Sequence, residues 1–506
     1  MNRKIGVILS YVLMVFEIAS TLLVTPLILR TIGQAEYGIY RLSGSIIAYL
    51  LLLDLGVGNA QIRFLSKYRA NNDTVQLRKF FGVSIIYYAG IALISLIVGI
   101  VLVSAFPALF AKGFTPDEII LGQKLLLITL LSTFVMMVTA PFINALVAYE
   151  RFSVSRGSAV ISAAAKIVLS FVALKLGFGS VGLVVTSFLT TLASRSFYVI
   201  YVFVKIKLKP LFKDIKFTFV KEIIVYSSFI LLQMLATQIN SSIGQILLGS
   251  LVSSSAVIIG VYSVGVQICQ YYQSIGSSVT GVLMPGIVKL VESKPQPKEI
   301  CDEMIRIGRL ILMILLLILI GFLLCGKQFI ALWVGSENIE AYGVAIIFLV
   351  VYMFILTQSV GNQVLWAKGE HKEQSILKIV VVILNIFVTL LLMRLNALYG
   401  VVLGSFVSLA VGDVILLNIV FKRKIRISLL QYYKGLFKGF IPCAIITWAA
   451  GYLFGLLHLS GWGGLCCNIL FTIIVYSVSM WVIGMSDYEK NLIQGILNKI
   501  FRRVVK

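Results

Sequence analysis

Five charged residues fall inside long apolar runs of this 506-residue chain: Glu17, Asp54, Lys166, Arg195 and Asp413. A charge facing lipid at the centre of a helix costs about 2.5–3.5 kcal/mol on an insertion scale, so each must face protein or water. Glu17, Asp54 and Lys166 each lie well inside their runs, about 18 Å deep at helical rise. Two kinds of chemistry are open to such a set. A carboxylate can take a proton or a sodium ion while a cation attracts an anionic group, or all five can be buried ion pairs that lock helices together. Polar stripes at steps of three and four run beside them. One has Ser263, Gln267, Gln270, Ser274, Ser277, Gly281 and Pro285, with Tyr271 and Tyr272 alongside; a second has Gln233, Thr237, Asn240 and Gly244; a third has Ser10, Glu17, Thr21 and Thr25. Amides, hydroxyls and aromatic faces suit a sugar, and a basic group suits a phosphate. Small polar residues are equally the ordinary adhesive between membrane helices.

The elements that must position these residues are membrane spans. The chain is 59% hydrophobic and 12% charged, with a mean hydropathy of +1.02, whereas soluble domains carry about a quarter charged residues. About 20 apolar residues in helical form cross a hydrocarbon core of about 30 Å. Fourteen stretches qualify: 5–29, 42–62, 80–106, 119–147, 154–176, 181–204, 222–248, 256–288, 307–326, 341–366, 374–394, 398–421, 435–457 and 463–484. Helices are the economical reading, because open strands would leave backbone groups unpaired in lipid. Lys and Arg cluster on alternate loops, which places both termini in the cytoplasm by the positive-inside rule. The formal net charge of +23 is thus a topology signal rather than a nucleic-acid signature. Met1 to Lys4 resembles the start of a signal peptide, but the apolar run continues to about Leu29 without a cleavage site, so the first span is expected to be retained.

Internal similarity appears at a spacing of 218 residues, where Gly182-Leu-Val-Val-Thr-Ser-Phe-Leu-Thr190 lies over Gly400-Val-Val-Leu-Gly-Ser-Phe-Val-Ser408, and Asn144 over Asn362. Gly38-Ile-Tyr40 resembles Gly260-Val-Tyr262 at a spacing of 222. The fold expected is an all-α polytopic membrane protein of about fourteen transmembrane helices. Two six-helix lobes, 1–216 and 217–425, are related by a pseudo-two-fold axis along the membrane normal, and two further helices with a cytoplasmic amphipathic tail occupy 426–506. Arg195 and Asp413 hold matching positions of this repeat and can approach across its axis. Three stretches, Lys205–Lys221, Lys422–Lys438 and the tail, mix basic and apolar residues; they are expected along the inner membrane surface or, for the first two, as ordinary basic loops. In the tail Ile493, Ile496, Leu497, Ile500 and Val504 share one face. The cysteines Cys269, Cys301, Cys325, Cys443, Cys466 and Cys467 read as small apolar core residues, not as a disulfide framework or metal site. Neither a phosphate-binding loop nor a zinc motif is present, and no cofactor is expected.

At Pro26-Leu-Ile-Leu-Arg-Thr-Ile-Gly-Gln-Ala-Glu-Tyr-Gly-Ile-Tyr40, Leu53-Asp-Leu-Gly-Val-Gly-Asn-Ala60 and Arg63, the chain resembles the bacterial Wzx-like oligosaccharide flippases. These belong to the multidrug/oligosaccharidyl-lipid/polysaccharide (MOP) exporter superfamily. Pro26 is expected to kink the first span and Gly33 and Gly38 to make a turn. Ala140-Pro-Phe-Ile-Asn144 with Glu150-Arg151, and Asn385 with Tyr399-Gly400, are similar to later family segments. The resemblance implies a flippase, not an enzyme, that carries an undecaprenyl-diphosphate-linked oligosaccharide across the bacterial cytoplasmic membrane by alternating access, for cell-surface polysaccharide synthesis. It implies a cavity between the lobes containing Gln233, Asn240, Gln267, Gln270 and Tyr271, with the diphosphate held by Lys166, Arg195, Arg30 and Arg63. Glu17, Asp54 and Asp413 are candidates for proton or sodium coupling, or for intramembrane pairing. Expected partners are the lipid-linked oligosaccharide, anionic membrane lipids and other polysaccharide assembly proteins. The alternatives are an ion-coupled multidrug exporter of the same superfamily and, from another class, a membrane glycosyltransferase or polymerase; the short outward loops argue against the latter.

Overall fold

The computed structural model describes residues 2–54, 56–212, 218–293, 295–368 and 370–504, without the side chains of 2–15, 17–18, 218–233, 279, 281–286, 288–289, 292, 371–372 and 496–504. Among these residues every regular element is helical and none is a strand. Backbone groups in lipid can be satisfied only within a helix or a closed barrel, so apolar runs of this length become helices.

The chain divides by packing into two compact units, Met1–Ser263 and Val264–Lys506. In the first, α1 (Asn2–Leu51) and α2 (Val57–Ala70) are joined through a short turn at Leu52–Asp54. Then come α3 (Thr74–Phe110), α4 (Pro116–Val138), α5 (Ala140–Ala148), α6 (Phe152–Lys175), α7 (Gly179–Tyr201) and α8 (Thr218–Leu251). The helix α9 (Ala256–Glu292) crosses into the second unit. That unit continues with α10 (Pro297–Val334), α11 (Ala341–Thr357), α12 (Ser359–Ala367), α13 (His371–Leu392), α14 (Ala397–Leu409) and α15 (Leu417–Val420). It ends with α16 (Leu429–Phe437), α17 (Phe440–Gly455), α18 (Gly461–Ser479) and α19 (Asp487–Val504). Helix starts follow local chemistry: Thr115 and Glu118 form a capping box ahead of α4 with Pro116 in its first turn, and Gln296 with Glu299 do the same for α10. Each cap satisfies backbone N–H groups that no helix can satisfy itself.

Ten of the described helical stretches are long and apolar enough to cross a membrane, or eleven if the bent pair α11 and α12 counts as one. The first two expected spans merge into one stretch, Ala19–Ala70, and α8 and α9, whose side chains are only partly described, are outside that count. The break in α1 is confined to Gly33, whose φ of 76° is left-handed. Gly38, expected in a turn, is helical instead. Its missing side chain serves packing: a Cβ there would lie 2.0 Å from the Ala256 carbonyl oxygen, and a Cβ on Gly260 would lie 2.5 Å from that of Gln34. Gln34 and Gly38 stand exactly one repeat spacing before Ala256 and Gly260. The two repeat-matched segments therefore cross backbone to backbone, each glycine against the other segment's carbonyl.

The repeat is also visible in its irregularities. The helix interruption at Thr139 recurs at Thr357–Gln358, where the axis bends by 42°. Wide π turns at Val202–Ile206 and Phe421–Ile425 both end on a left-handed basic residue, Lys207 and Arg426. Matching departures from regular helix, 218 residues apart at the interruptions and 219 at the π turns, follow the repeat seen in the sequence.

Each unit has its own apolar core. In the first, Leu65, Phe81, Tyr88, Phe142, Leu146 and Tyr198 pack together. In the second, α10 supplies Ile307, Ile311, Leu312 and Leu315, against which Leu349, Phe421, Tyr432 and Leu436 pack. Outer faces are apolar too, as with Val101, Val168, Leu390 and Val482, the pattern of a lipid-exposed surface. Cys269, Cys301, Cys325 and Cys443 are buried as expected, whereas Cys466 and Cys467 lie on an exposed face of α18; all six are free. Within Lys422–Lys438, α16 is a short amphipathic helix that buries Tyr432 and Leu436 and exposes Leu430 and Lys434. The apolar face proposed for the tail lies, beyond Ile493, outside the described side chains.

The last helices are held by a buried cation. Arg309 of α10 donates to both carboxylate oxygens of Glu489 at 2.6 and 3.0 Å, and to the carbonyls of Gly435, Lys438 and Gly484. The Phe440 ring covers it at 4.8 Å. One side chain thereby joins α10, the ends of α16 and α18, and the start of α19.

Candidate functional site

A pocket of about 410 Å³ opens within the first unit between α1, α6 and α7, lined by Ser20, Thr21, Thr25, Tyr40, Lys166 and Ser170 among others. Thr21 and Thr25 come from the polar stripe of α1, one helical turn apart and so on one face. Lys166 stands on α6 opposite them with its side chain exposed. The wall behind is fixed by the hydroxyls of Ser170 and Thr186, 3.2 Å apart between α6 and α7. No acidic side chain is among the described residues lining this pocket. Its chemistry is that of an anion site with hydroxyl neighbours and one aromatic ring.

Only part of the expected set meets here. Arg195 is half-buried on α7, with its guanidinium 5.9 Å from the Tyr198 ring centroid. Tyr198 in turn donates to the Ser155 carbonyl at 3.2 Å. With Ser170 facing Thr186 and Ser155 facing Tyr198, Arg195 lies about two turns from Lys166 along the helix pair, roughly 10 Å. Arg30 and Arg63 are exposed on α1 and α2. The side chains of Glu17 and Gln233 are outside the described residues.

The stripes divide between packing and exposure. Gln245 donates to Ser263 at 2.9 Å and also contacts Ser45 of α1, all three within the first unit. Asn240 is half-buried on α8. In the second unit Gln267 is buried and donates to the Tyr271 hydroxyl at 2.6 Å, whereas Gln270 and Ser274 are exposed. Helical residues three apart share only a broad face, and neighbouring helices decide which edge of it is covered.

The carboxylates also differ. Asp413 is buried in a π turn, Ala410–Leu416, and its partner is Lys378 of α13 at 2.8 Å, in the same unit. Replacing Lys378 with Met should leave a buried, unpaired carboxylate and destabilise the second unit by about 3–5 kcal/mol. Thermal unfolding of the purified protein in detergent checks this, and an unchanged transition would show the pair to be incidental. Asp54 occupies the turn between α1 and α2 beside Tyr88, Gly58 and Asn144, with no Lys or Arg partner among the described residues.

Comparison with known proteins places this geometry. Over residues 3–291, more than half of the chain, the sequence matches the family model described as "Polysaccharide biosynthesis protein". No curated protein matches the sequence. Among solved structures the fold is similar to lipid II flippase MurJ in an inward closed conformation, at a TM-score of 0.75 and 17% identity over 96% of this chain and 100% of that one. It is also similar to an inward-facing multidrug resistance MATE family transporter of the MOP superfamily, at a TM-score of 0.59 and 16% identity over 82% of this chain and 95% of that one. The MATE multidrug transporter DinF-BH, in complex with R6G, matches at a TM-score of 0.62 and 17% identity, over 85% and 96% of the two chains. Identities this low speak for fold alone. With the family match, they establish that this multi-pass membrane chain belongs to the polysaccharide biosynthesis protein family and has the fold of the MOP superfamily transporters.

Proposed function

We propose that this protein is a flippase that carries an undecaprenyl-diphosphate-linked oligosaccharide from the inner to the outer leaflet of the bacterial cytoplasmic membrane, with both termini in the cytoplasm. The observation that carries this reading is the Lys166 pocket, in which a cation faces the hydroxyls of Thr21 and Thr25 with no acidic side chain among the described lining residues. An ammonium with several hydroxyl donors suits a diphosphate, and the Tyr40 ring suits the first sugar. A volume of about 410 Å³ is in the range of small-ligand pockets, so it accommodates the head group rather than the whole lipid-linked chain. Arg195, two turns away, extends the positive field along α7. The reading has no chemical step: binding and release of the lipid are coupled to a proton or sodium gradient, and the protein is a transporter rather than an enzyme.

Replacing Lys166 with Gln removes the charge while keeping length and hydrogen bonding. A charge-assisted hydrogen bond is worth about 1.5–3 kcal/mol, and 1.4 kcal/mol is about tenfold in affinity. Cells relying on the Lys166→Gln variant are expected to lose surface polysaccharide by about tenfold or more at subsaturating substrate, with the amount of protein in the membrane unchanged. Lys166→Arg should retain part of the activity. Normal polysaccharide in Lys166→Gln cells would show that the pocket does not hold the diphosphate.

A further inference from the structure

Residues 422–438 of the second unit contain the basic side chains Lys422, Arg423, Lys424, Arg426, Lys434 and Lys438 and no acidic one. All of them are exposed. Among the described residues only Lys424 forms ion pairs, with Glu370 at 3.1 Å and Glu373 at 2.8 Å. The segment follows the membrane-crossing stretch Ala397–Ile425 and turns at Gly439, whose φ of 81° is left-handed, into the apolar helix α17. It therefore lies where two successive spans leave the hydrocarbon on the same side.

Within the segment α16 is sharply two-faced. Leu429, Tyr432, Tyr433, Leu436 and Phe437 turn inward at helical spacing, while Leu430, Gln431 and Lys434 are exposed. At nine residues the helix is about 13 Å long, far too short to cross a bilayer. Its inner face is attached directly to the 42° break between α11 and α12. Tyr432 donates to the Thr357 carbonyl at 3.0 Å. The Tyr433 hydroxyl oxygen accepts from Gln358 Nε2 at 2.8 Å and from Asn418 Nδ2 of α15 at 2.6 Å. The Phe437 ring packs 5.9 Å from that of Phe354 of α11.

We propose that the outer face of α16, with the basic residues that precede it, is a docking platform for the head groups of anionic phospholipids, and that lipid held there steadies the α11–α12 break. The charge is one-sided: apart from Lys424, every cation of the segment is left to face an anion from outside the unit. A membrane lipid fits better than an acidic protein, because Leu430, 66% exposed, stands on this face at the bilayer boundary, where an apolar side chain enters the acyl layer while Lys and Arg meet the head groups. A zwitterionic lipid offers the same acyl layer but no net charge. The coupling needs no long relay, since the hydrogen bonds that hold α16 end on Thr357 and Gln358 themselves. Placing this face in the inner leaflet rests on the topology of the flippase reading; its preference for anionic lipid does not.

Native mass spectrometry of the purified full-length protein, given equal amounts of phosphatidylglycerol and phosphatidylcholine, tests the platform without any glycan cargo, so its failure is distinct from failure of the polysaccharide assay. One Lys or Arg beside an anionic surface contributes about fivefold to binding. The triple variant Arg423→Gln, Arg426→Gln, Lys434→Gln, altered only at exposed positions, is expected to lose the phosphatidylglycerol preference of wild type by about tenfold or more. The control variant Lys205→Gln, Lys207→Gln, Lys209→Gln, with the same change in charge in the first unit, should keep most of it. Hydrogen exchange at 355–362 is expected to slow on adding phosphatidylglycerol to wild type, and not to slow in the triple variant or in Tyr433→Phe. An undiminished preference in the triple variant, an equal loss in the control, soluble glycerophosphate bound as well as phosphatidylglycerol, or the same slowing in Tyr433→Phe as in wild type would overturn the proposal.

Discussion

Replacing Arg309 with Met is expected to destabilise the second unit by about 3–5 kcal/mol, the cost of leaving one member of a buried pair without its partner. Arg309 and Glu489 are both almost fully buried, and the guanidinium also satisfies the carbonyls of Gly435, Lys438 and Gly484. The loss therefore includes three carbonyls left without a donor as well as the carboxylate. Thermal unfolding in detergent gives the magnitude, and the double variant Arg309→Met with Glu489→Gln should be less affected than the sum of the two single changes. A loss below about 1 kcal/mol, the range of an exposed pair, would contradict the structural account.

The same pair sets a pH dependence. Burial alone would push the Glu489 carboxyl up, but hydrogen bonds from Arg309 and the Ser486 N–H, with the guanidinium charge, hold it below the ordinary glutamate value of 4.5. A group whose folded pKa is depressed contributes stability above its unfolded pKa and loses it as pH falls through the folded value. The second unit should accordingly weaken as pH falls below about 4.5, and Glu489→Gln should flatten that part of the profile.

Gly38→Val is expected to cost more than the about 1–3 kcal/mol typical of an overfilled core. In most cores a neighbouring side chain can swing away. Here the obstacle is the backbone carbonyl of Ala256, 2.0 Å from the position of the new Cβ. The crossing must open, and the contact of α1 with the start of α9, within the first unit, is lost. Gly260→Val meets the Gln34 carbonyl in the same way at 2.5 Å. Gly44→Val, on the same α1 helix but with nothing within 4 Å of its Cβ, is the control. Size-exclusion profiles of detergent extracts should show loss of the folded peak for Gly38→Val and Gly260→Val and a normal peak for Gly44→Val. A normal peak for all three would mean that the two backbones do not touch.

How far the site was legible follows from the range of the interactions that make it. The Thr21 and Thr25 face of α1 could be read because residues one helical turn apart must share a side. That Lys166 faces it, while Arg195 stacks on Tyr198 instead, depends on how α6 and α7 are rotated against α1, which local spacing does not encode. The stripe on α9 shows the same limit. Gln267 and Gln270 look equivalent in sequence, yet one is buried against Tyr271 and the other exposed, because neighbouring helices cover only one edge of the face.

Long apolar runs, alternating basic clusters and paired segments about 218 residues apart determined by themselves that this is a repeated, all-helical membrane protein, since lipid leaves an apolar chain no other economical way to satisfy its backbone. The resemblance at Pro26–Tyr40 and Leu53–Ala60 pointed to its family on the same local evidence. Tertiary structure alone decided which charges are partnered. Arg309 looks like one more basic residue at a span end, and Glu489 like a stray acid in a basic tail; they are 180 residues apart and meet only when α10 and α19 are packed. Asp413 finds Lys378 by the pairing of α13 with the π turn, while Asp54 has no cation beside it among the described residues. A charge in sequence carries its depth with it, because depth is counted along one helix, but its partner is set by the packing of several.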